Sequence, residues 1–125
     1  MIHLDRETFE TIVAEALAGL PEDFFQMLDN VAVVVEYWPD RETMALAGVN
    51  SRYALLGFYH GVPQTVRSHN YGNIAPDKIS IYQHPIEAQC ETTDDVYALA
   101  GRVVRHEIAH HFGIDDDRLR EIGAY

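Results

Sequence analysis

The feature that most constrains the fold of this 125-residue chain is a long amphipathic helix predicted near its C-terminus. Thr92, Thr93 and Asp94 are suited to cap a helix, and apolar residues then recur at three- and four-residue steps as far as Gly113. These apolar positions are Val96, Leu99, Ala100, Val103, Val104, Ile108 and Phe112. A helix with one apolar face needs the rest of the chain to cover that face.

The same helix carries three residues whose spacing predicts a chemical function. His106, Glu107 and His110 form the pattern HExxH. Residues four apart on a helix differ by about 40° in direction, so the two imidazoles face one side and can share a Zn²⁺ ion. Glu107 is turned by about 100° from His106, so it lies beside the metal and can take a proton from water as a general base.

A third zinc ligand has to come from beyond the helix. Zinc in a catalytic site takes three protein ligands and keeps one position open. Gly113 tolerates a left-handed conformation, so it can end the helix and turn the chain back toward the metal. Asp116 is the predicted third ligand on this spacing, although Asp115 and Asp117 are chemically equivalent and stay open as alternatives.

Chance is a poor explanation of the complete spacing. From the residue frequencies of this chain, HExxH alone would arise in roughly 3% of such sequences, and the added Gly113 and Asp116 lower that to about 0.02%. A structural alternative stays open, in which His106 and His110 are helix-face residues that form hydrogen bonds with nearby acidic side chains.

Composition excludes several classes of function. The 9 Lys and Arg against 20 Asp and Glu give a formal net charge of −11, so nucleic acid is not an expected partner. The longest apolar runs are about five residues, far short of the ~20 that a bilayer-spanning helix needs, so no membrane is expected as a partner. A single cysteine, Cys90, and an N-terminus without a secretion signal predict a cytoplasmic protein.

Hydrophobic patterning predicts an α+β fold with a single domain over residues 1–125. A first helix is expected to follow Asp5 and to end near Gly19, and a short second helix follows Pro21. Residues 40–52 are expected to form a loop or a short helix. Residues 63–76 are predicted to be an exposed excursion, and a short final helix is predicted to begin at Asp115 to Asp117.

Three strands are predicted. Residues 31–38 are β-branched and aromatic, so this strand is expected to be buried on both faces. Residues 53–60 form a second candidate. Residues 78–83 alternate apolar and polar side chains and are followed by Pro85, which predicts an edge strand with one wet face.

The motif also resembles that of a known family. His106-Glu107-x-x-His110-x-x-Gly113-x-x-Asp116 resembles the extended zinc motif of the zincin metallopeptidases, and the segment up to Leu119 is similar to that of small bacterial zincin-like metallopeptidases. Looser similarity covers residues 56–63 and 79–86. The resemblance implies a minimal zincin-like fold, in which a small mixed β-sheet packs against the motif helix, and it implies zinc bound by His106, His110 and Asp116.

We therefore predict a zinc-dependent hydrolase of peptide bonds that acts on a peptide or protein substrate, which edge strand 78–83 aligns. The alternative is a non-catalytic metal-binding module that binds a protein partner through its acidic surface. Glu107 discriminates between the two, because a structural zinc site is closed by a fourth protein ligand and needs no base. An inactive descendant without metal is a third alternative.

Other residues were assigned by position alone. Four side chains could reach the cleft as donors to a transition state, although a surface role is the default for each: His60, His69, His84 and Tyr125. His111 is about 140° around the helix from His106 and is predicted to pack or to lie on the surface. Arg102 and Arg105 are expected to be solvated or to pair with acidic residues near the metal. Four aromatic residues are expected to pack in the core: Tyr37, Trp38, Phe58 and Tyr59.

Overall fold

The computed structural model describes residues 1–61 and 77–113. Its helices are α1 (Arg6–Ala18), α2 (Glu22–Met27), α3 (Arg41–Ala47), α4 (Gln83–Ala88) and α5 (Thr93–Phe112), with a 3₁₀ turn at Arg52–Ala54. Its strands are β1 (Val31–Glu36), β2 (Gly57–His60) and β3 (Asp77–Tyr82). The predicted excursion at 63–76 and the predicted helix after Asp115 lie outside the described residues.

The three strands form one mixed sheet in the order β1-β3-β2. β1 runs parallel to β3, with Val33 beside Ile79, and β2 runs antiparallel to β3, with Gly57 beside Ile81. The sheet packs against α5, which carries the motif. The predicted α+β class and the small mixed sheet on the motif helix are therefore confirmed.

The edge position predicted for residues 78–83 and the burial predicted for residues 31–38 are both wrong. Residues 78–83 were expected to form an edge strand, but β3 is central and pairs with both neighbours. Its second face is polar but covered, since Ser80 is fully buried and its hydroxyl donates to the carboxylate of Glu36. Pro85 does not mark an edge either, because it lies in the first turn of α4, which follows the strand directly.

β1 is an edge strand of the described sheet, where burial on both faces was expected. All six of its residues are only half-buried. On the side away from β3, α1 contributes the guanidinium of Arg6, which donates a hydrogen bond to the carbonyl of Val35. The run of valines therefore reflects the packing of one face and the β-propensity of branched side chains, not enclosure between two layers.

The predicted strand at 53–60 is shortened, and the uncertain segment before it is helical. Residues 52–54 form a 3₁₀ turn, which Ser51 caps by accepting from the amide of Tyr53, so only Gly57–His60 is a strand. Upstream, the Asp40 side chain accepts from the amide of Thr43 at 2.7 Å and starts α3. Gly48, at φ 73°, ends that helix in the left-handed conformation.

Helices α1 and α5 form the core together with the central strand. Asp5 caps α1 and Thr92 caps α5, as predicted from the sequence. Asp95, which was not predicted to take part, completes a capping box with Thr92. Gly113, at φ 70°, ends α5 in the left-handed conformation. The shared core contains Phe9, Ile12 and Val13 of α1, Ile79 and Ile81 of β3, and Val96, Val104 and Ile108 of α5.

The N-terminal segment is fixed to the end of α4 by a buried carboxylate. Glu87 is 1% exposed and accepts hydrogen bonds from the amide of Leu4 at 2.8 Å and from the side chain of Gln83 at 3.3 Å. The amide of Ile2 donates to the carbonyl of Cys90 at 2.8 Å. Cys90 is buried, as expected for a small hydrophobic residue, and burial raises the pKa of its thiol.

Two of the aromatic residues that were expected in the core lie at the C-terminal end of β1. Tyr37 is 47% exposed, so its prediction is wrong; its ring stacks on His84 at 5.2 Å. Trp38 is half-buried beneath the guanidinium of Arg52, which lies 3.8 Å from the ring centroid. Within the described ranges, no helix has the length and apolarity that crossing a bilayer requires.

Candidate metal centre

Helix α5 presents the three motif residues in its last two turns. His106 and His110 are exposed, whereas Glu107 between them is half-buried. The four-residue spacing on a regular helix starts both histidine side chains from the same side of α5. The motif therefore opens toward solvent at the end of a helix whose opposite face is anchored in the core.

Strand β2 lies directly on this part of α5 because Gly57 has no side chain. A Cβ atom at Gly57 would lie 2.5 Å from Cγ1 of Val103 and 3.0 Å from the carbonyl oxygen of Ser80. Only glycine allows the strand to approach the helix this closely. The close approach brings the outer end of β2 alongside Glu107 and His110.

Two clefts meet at Glu107. The larger, of about 620 Å³, is lined by Leu46, Ala47, Leu55, Phe58, Tyr59, Glu107, His110 and His111. The smaller, of about 380 Å³, is lined by Leu56, Gly57, Gln89, Leu99, Arg102, Val103, His106 and Glu107. Each cleft thus contains one histidine of the motif, and the carboxylate of Glu107 is common to both.

The environment of Glu107 stabilises the protonated form of its carboxyl group relative to the same group in water. Burial raises the pKa of its carboxyl group above the ordinary value, and the neighbouring His110 opposes that rise. Glu107 is half-buried and lies next to His110, a candidate metal ligand. This environment suits a carboxylate that accepts a proton and then returns it.

A phenol, a carboxylate and an imidazole are joined at the wall of the larger cleft. The hydroxyl of Tyr59 donates to Asp77 at 2.7 Å, and Asp77 is only 8% exposed. The ring of His111 stacks on Tyr59 with centroids 3.8 Å apart, and its Nε2 lies 3.9 Å from the carboxylate of Asp77. These contacts join the last turn of α5 to β2 and β3, next to His110.

Sequence reasoning missed Asp77 and placed Tyr59 only in the core. Their contact depends on the antiparallel register, in which Tyr59 lies beside Ile79, so that Asp77 is its diagonal neighbour on the same face. No local pattern reports that register. His111 packs against Tyr59 and remains 37% exposed, which agrees with its predicted packing or surface role.

The comparison with protein families agrees with this geometry. The model of the zincin-like metallopeptidases matches residues 28–124, which include β1, β2, β3 and the whole motif helix. The chain belongs to this family. In this zincin-like metallopeptidase, α1 and α2 both precede the matched segment. The comparison with curated proteins finds no match.

The predicted ligand Asp116 and its alternatives Asp115 and Asp117 lie outside the described residues, so the third ligand stays a prediction. Over residues 1–61 and 77–113, no three side chains of the ligating types come together. Two exposed imidazoles one helical turn apart, with a carboxylate between them, nevertheless fit the donor set of a zinc site, and the zincin-like family binds zinc in general.

The other candidate donors are placed as follows. His60 is half-buried on β2, and burial lowers the pKa of its imidazole, with Lys78 adding to the effect. His84 contacts the carboxylate of Glu87 at 3.0 Å and stacks on Tyr37. Neither side chain lines the two clefts that meet at Glu107. His69 and Tyr125 lie outside the described residues.

Proposed function

We propose that this zincin-like metallopeptidase is a zinc-dependent hydrolase of peptide bonds, in which His106, His110 and Asp116 hold the metal and Glu107 is the general base. The observation that supports this proposal most directly is the position of Glu107. Its carboxylate lies where two clefts meet, between the two histidines of the motif.

Zinc held by these ligands supplies Lewis acidity toward water and toward a peptide carbonyl. Glu107 takes a proton from the attacking water and delivers it to the leaving amine, so one carboxylate serves as base and then as acid. Its partial burial supports both roles, because the raised pKa of the carboxyl makes the proton less readily lost to solvent.

The substrate is aligned, in this proposal, by β2. Strand 78–83 was the expected guide, but it is paired on both sides and has no open edge. β2 has an unpaired edge within the described sheet, and its residues Phe58 and Tyr59 line the larger cleft beside Glu107. An extended peptide added to this edge would run alongside the motif helix and pass Glu107.

The metal is tested first. Protein purified without a histidine tag should bind one equivalent of zinc at neutral pH, measured by elemental analysis and by titration with a chelator. His106→Gln and Asp116→Asn should each lower zinc affinity, whereas His3→Gln at the exposed N-terminus is the matched control and should not. Failure of the unaltered chain to bind zinc would contradict the proposal.

The base is tested in the zinc-loaded protein. Glu107→Gln should retain zinc and lower hydrolysis of a peptide mixture, followed by mass spectrometry, by roughly 10²- to 10⁴-fold. Glu15→Gln, on the exposed side of α1, is the control for a lost carboxylate. Unchanged turnover in Glu107→Gln would contradict the assigned role.

The non-catalytic metal-binding module remains the second candidate, because the acidic composition would suit a protein partner with basic residues. It predicts a zinc site closed by four protein ligands and no cleavage of any peptide in the mixture. An open ligand position, detected by binding of a hydroxamate to the zinc-loaded protein, would count against it.

A further inference from the structure

The smaller cleft combines apolar walls with one cationic side chain. Leu56, Leu99 and Val103 supply the apolar walls, and Arg102, His106 and Glu107 also line the cleft. The volume of about 380 Å³ accommodates a side chain of a peptide rather than a whole folded segment. The cleft therefore has the features of a subsite next to the proposed reacting bond.

Arg102 is one helical turn before His106, on the same stripe of α5 as both histidines. Its side chain is exposed, and no carboxylate of the described residues pairs with it. Among the residues that line this cleft, Arg102 carries the permanent positive charge. An arginine guanidinium is the side chain best suited to binding a carboxylate through two parallel hydrogen bonds.

We propose that Arg102 is a specificity-determining residue that binds a carboxylate of the peptide substrate, while an apolar side chain of the same peptide lies against Leu56, Leu99 and Val103. This inference rests on the proposed peptidase function, since it assigns the substrate class of that site. The occupant is a peptide with a single carboxylate, because the net charge of −11 repels polyanionic chains.

Helix geometry limits where this carboxylate lies. One turn separates Arg102 from His106, which corresponds to about 6 Å along the helix axis. An extended peptide advances about 3.3 Å per residue, so the carboxylate lies about two residues from the bond at His106. A C-terminal carboxylate and the side chain of an acidic residue both satisfy this distance.

Four fluorescein-labelled probes separate the two sources of the carboxylate. One ends in leucine with a free carboxylate, and the second is the same peptide with a C-terminal amide. The third contains Leu-Glu followed by an amidated glycine, and the fourth replaces its glutamate with glutamine. Binding is measured by fluorescence anisotropy in the zinc-supplemented Glu107→Gln variant, in which the probes are not consumed.

The inference predicts that one acidic probe binds about tenfold more tightly than its neutral partner, the effect expected of a charge-assisted hydrogen-bonded pair. Arg102→Gln in the same background should abolish the difference, and Arg102→Lys should retain part of it. Arg41→Gln, which removes an exposed arginine at the start of α3, is the matched control and should leave the difference intact.

Four outcomes overturn the inference, and three of them concern the acidic preference itself. They are equal binding of acidic and neutral probes, a preference that survives in Arg102→Gln, and no measurable binding of any probe. The second outcome would indicate that the carboxylate of the probe binds to the zinc ion and not to Arg102. Loss of affinity for all four probes alike in Arg102→Gln would likewise contradict it, because that pattern reports a general structural change.

Failure of this inference is distinguishable from failure of the proposed function. If the zinc-loaded, unaltered chain cleaves peptides without regard to their carboxylates, the peptidase proposal stands and the role of Arg102 is wrong. If Arg102-dependent preference is measured by anisotropy but no peptide is cleaved, the carboxylate subsite stands and the peptidase proposal is wrong.

Discussion

At the scale of single residues, Gly57 determines how closely the sheet approaches the motif helix. Its missing side chain allows β2 to lie against Val103, one turn before Glu107. The chemistry proposed for Glu107 therefore depends on a residue that has no functional group. We therefore expect substitutions to be tolerated least at Gly57, where the backbone of β2 contacts the side chain of Val103.

Gly57→Ala is expected to destabilise the protein by about 1–3 kcal/mol, because the added Cβ overlaps Cγ1 of Val103 and crowds the carbonyl of Ser80. Urea denaturation monitored by circular dichroism measures the loss. In the double variant Gly57→Ala/Val103→Ala the overlap is removed, so the two effects should sum to more than the measured value. Simple additivity would contradict this contact as the cause.

The motif residues were identifiable at this scale, but the residues around them were not. The spacing of His106, Glu107 and His110 is local, and a helix converts it directly into a shared direction. Asp77 and Tyr59 meet only because β2 and β3 pair in one register. The register of that pairing depends on residues far apart in the chain, so it cannot be predicted from the sequence next to either residue.

At the scale of elements, helix ends were predicted well because their signals are local. Thr92 and Asp95 lie three residues apart and satisfy each other's backbone amides, and Gly113 ends α5 as its freedom at positive φ suggests. The edge position predicted for residues 78–83 was wrong, because the alternation along this segment reports the polarity of its two faces, whereas a central position depends on what covers the polar face. Ser80 is polar and fully buried.

The capping box gives α5 a dependence on pH. Asp95 accepts from the amides of Glu91 at 3.0 Å and Thr92 at 3.1 Å, and these hydrogen bonds lower the pKa of its carboxyl group. Because the pKa is lower in the folded state, the stabilisation is present above the unfolded value and is lost as pH falls through the folded one.

Asp95→Asn should therefore lower Tm at neutral pH, and the difference from the unaltered chain should shrink as pH falls below about 4. Differential scanning calorimetry across that range measures it. Asp94→Asn, in the same exposed first turn, controls for loss of charge near the helix N-terminus. A Tm difference that stays constant with pH would contradict the capping role of the carboxylate.

At the scale of the whole molecule, stability of the site depends on chain that lies outside the family match. The match begins at residue 28, yet Phe9, Ile12 and Val13 of α1 pack in the same core as Val104 and Ile108 of the motif helix. A substitution that destabilises the packing of α1 should therefore also destabilise the motif helix that carries His106 and His110, because the two helices share one core. Glu87 is one of the residues that fix this region to the rest, together with Cys90, whose carbonyl accepts from the amide of Ile2.

Glu87→Ala is expected to destabilise the protein by about 3 kcal/mol, since it leaves the amide of Leu4 without its acceptor and removes one of the two acceptors of the buried Gln83 side chain, the other being the carbonyl of Leu4. Urea denaturation measures the change. Glu91→Ala is the control, because its carboxylate holds the N-terminal amine at an exposed position and should cost less than about 1 kcal/mol. Equal effects of the two variants would contradict the argument.

The hydrogen bond from Arg6 to the carbonyl of Val35 bears on how copies of the protein behave at high concentration. A valine-rich strand with an open margin is a template for stacking of identical chains into fibrils. Arg6 occupies part of that margin with a hydrated cation, and Glu10 holds the guanidinium in place at 2.8 Å. A side chain that contributes nothing to the proposed chemistry is therefore expected to oppose the pairing of β1 with a strand of a second copy.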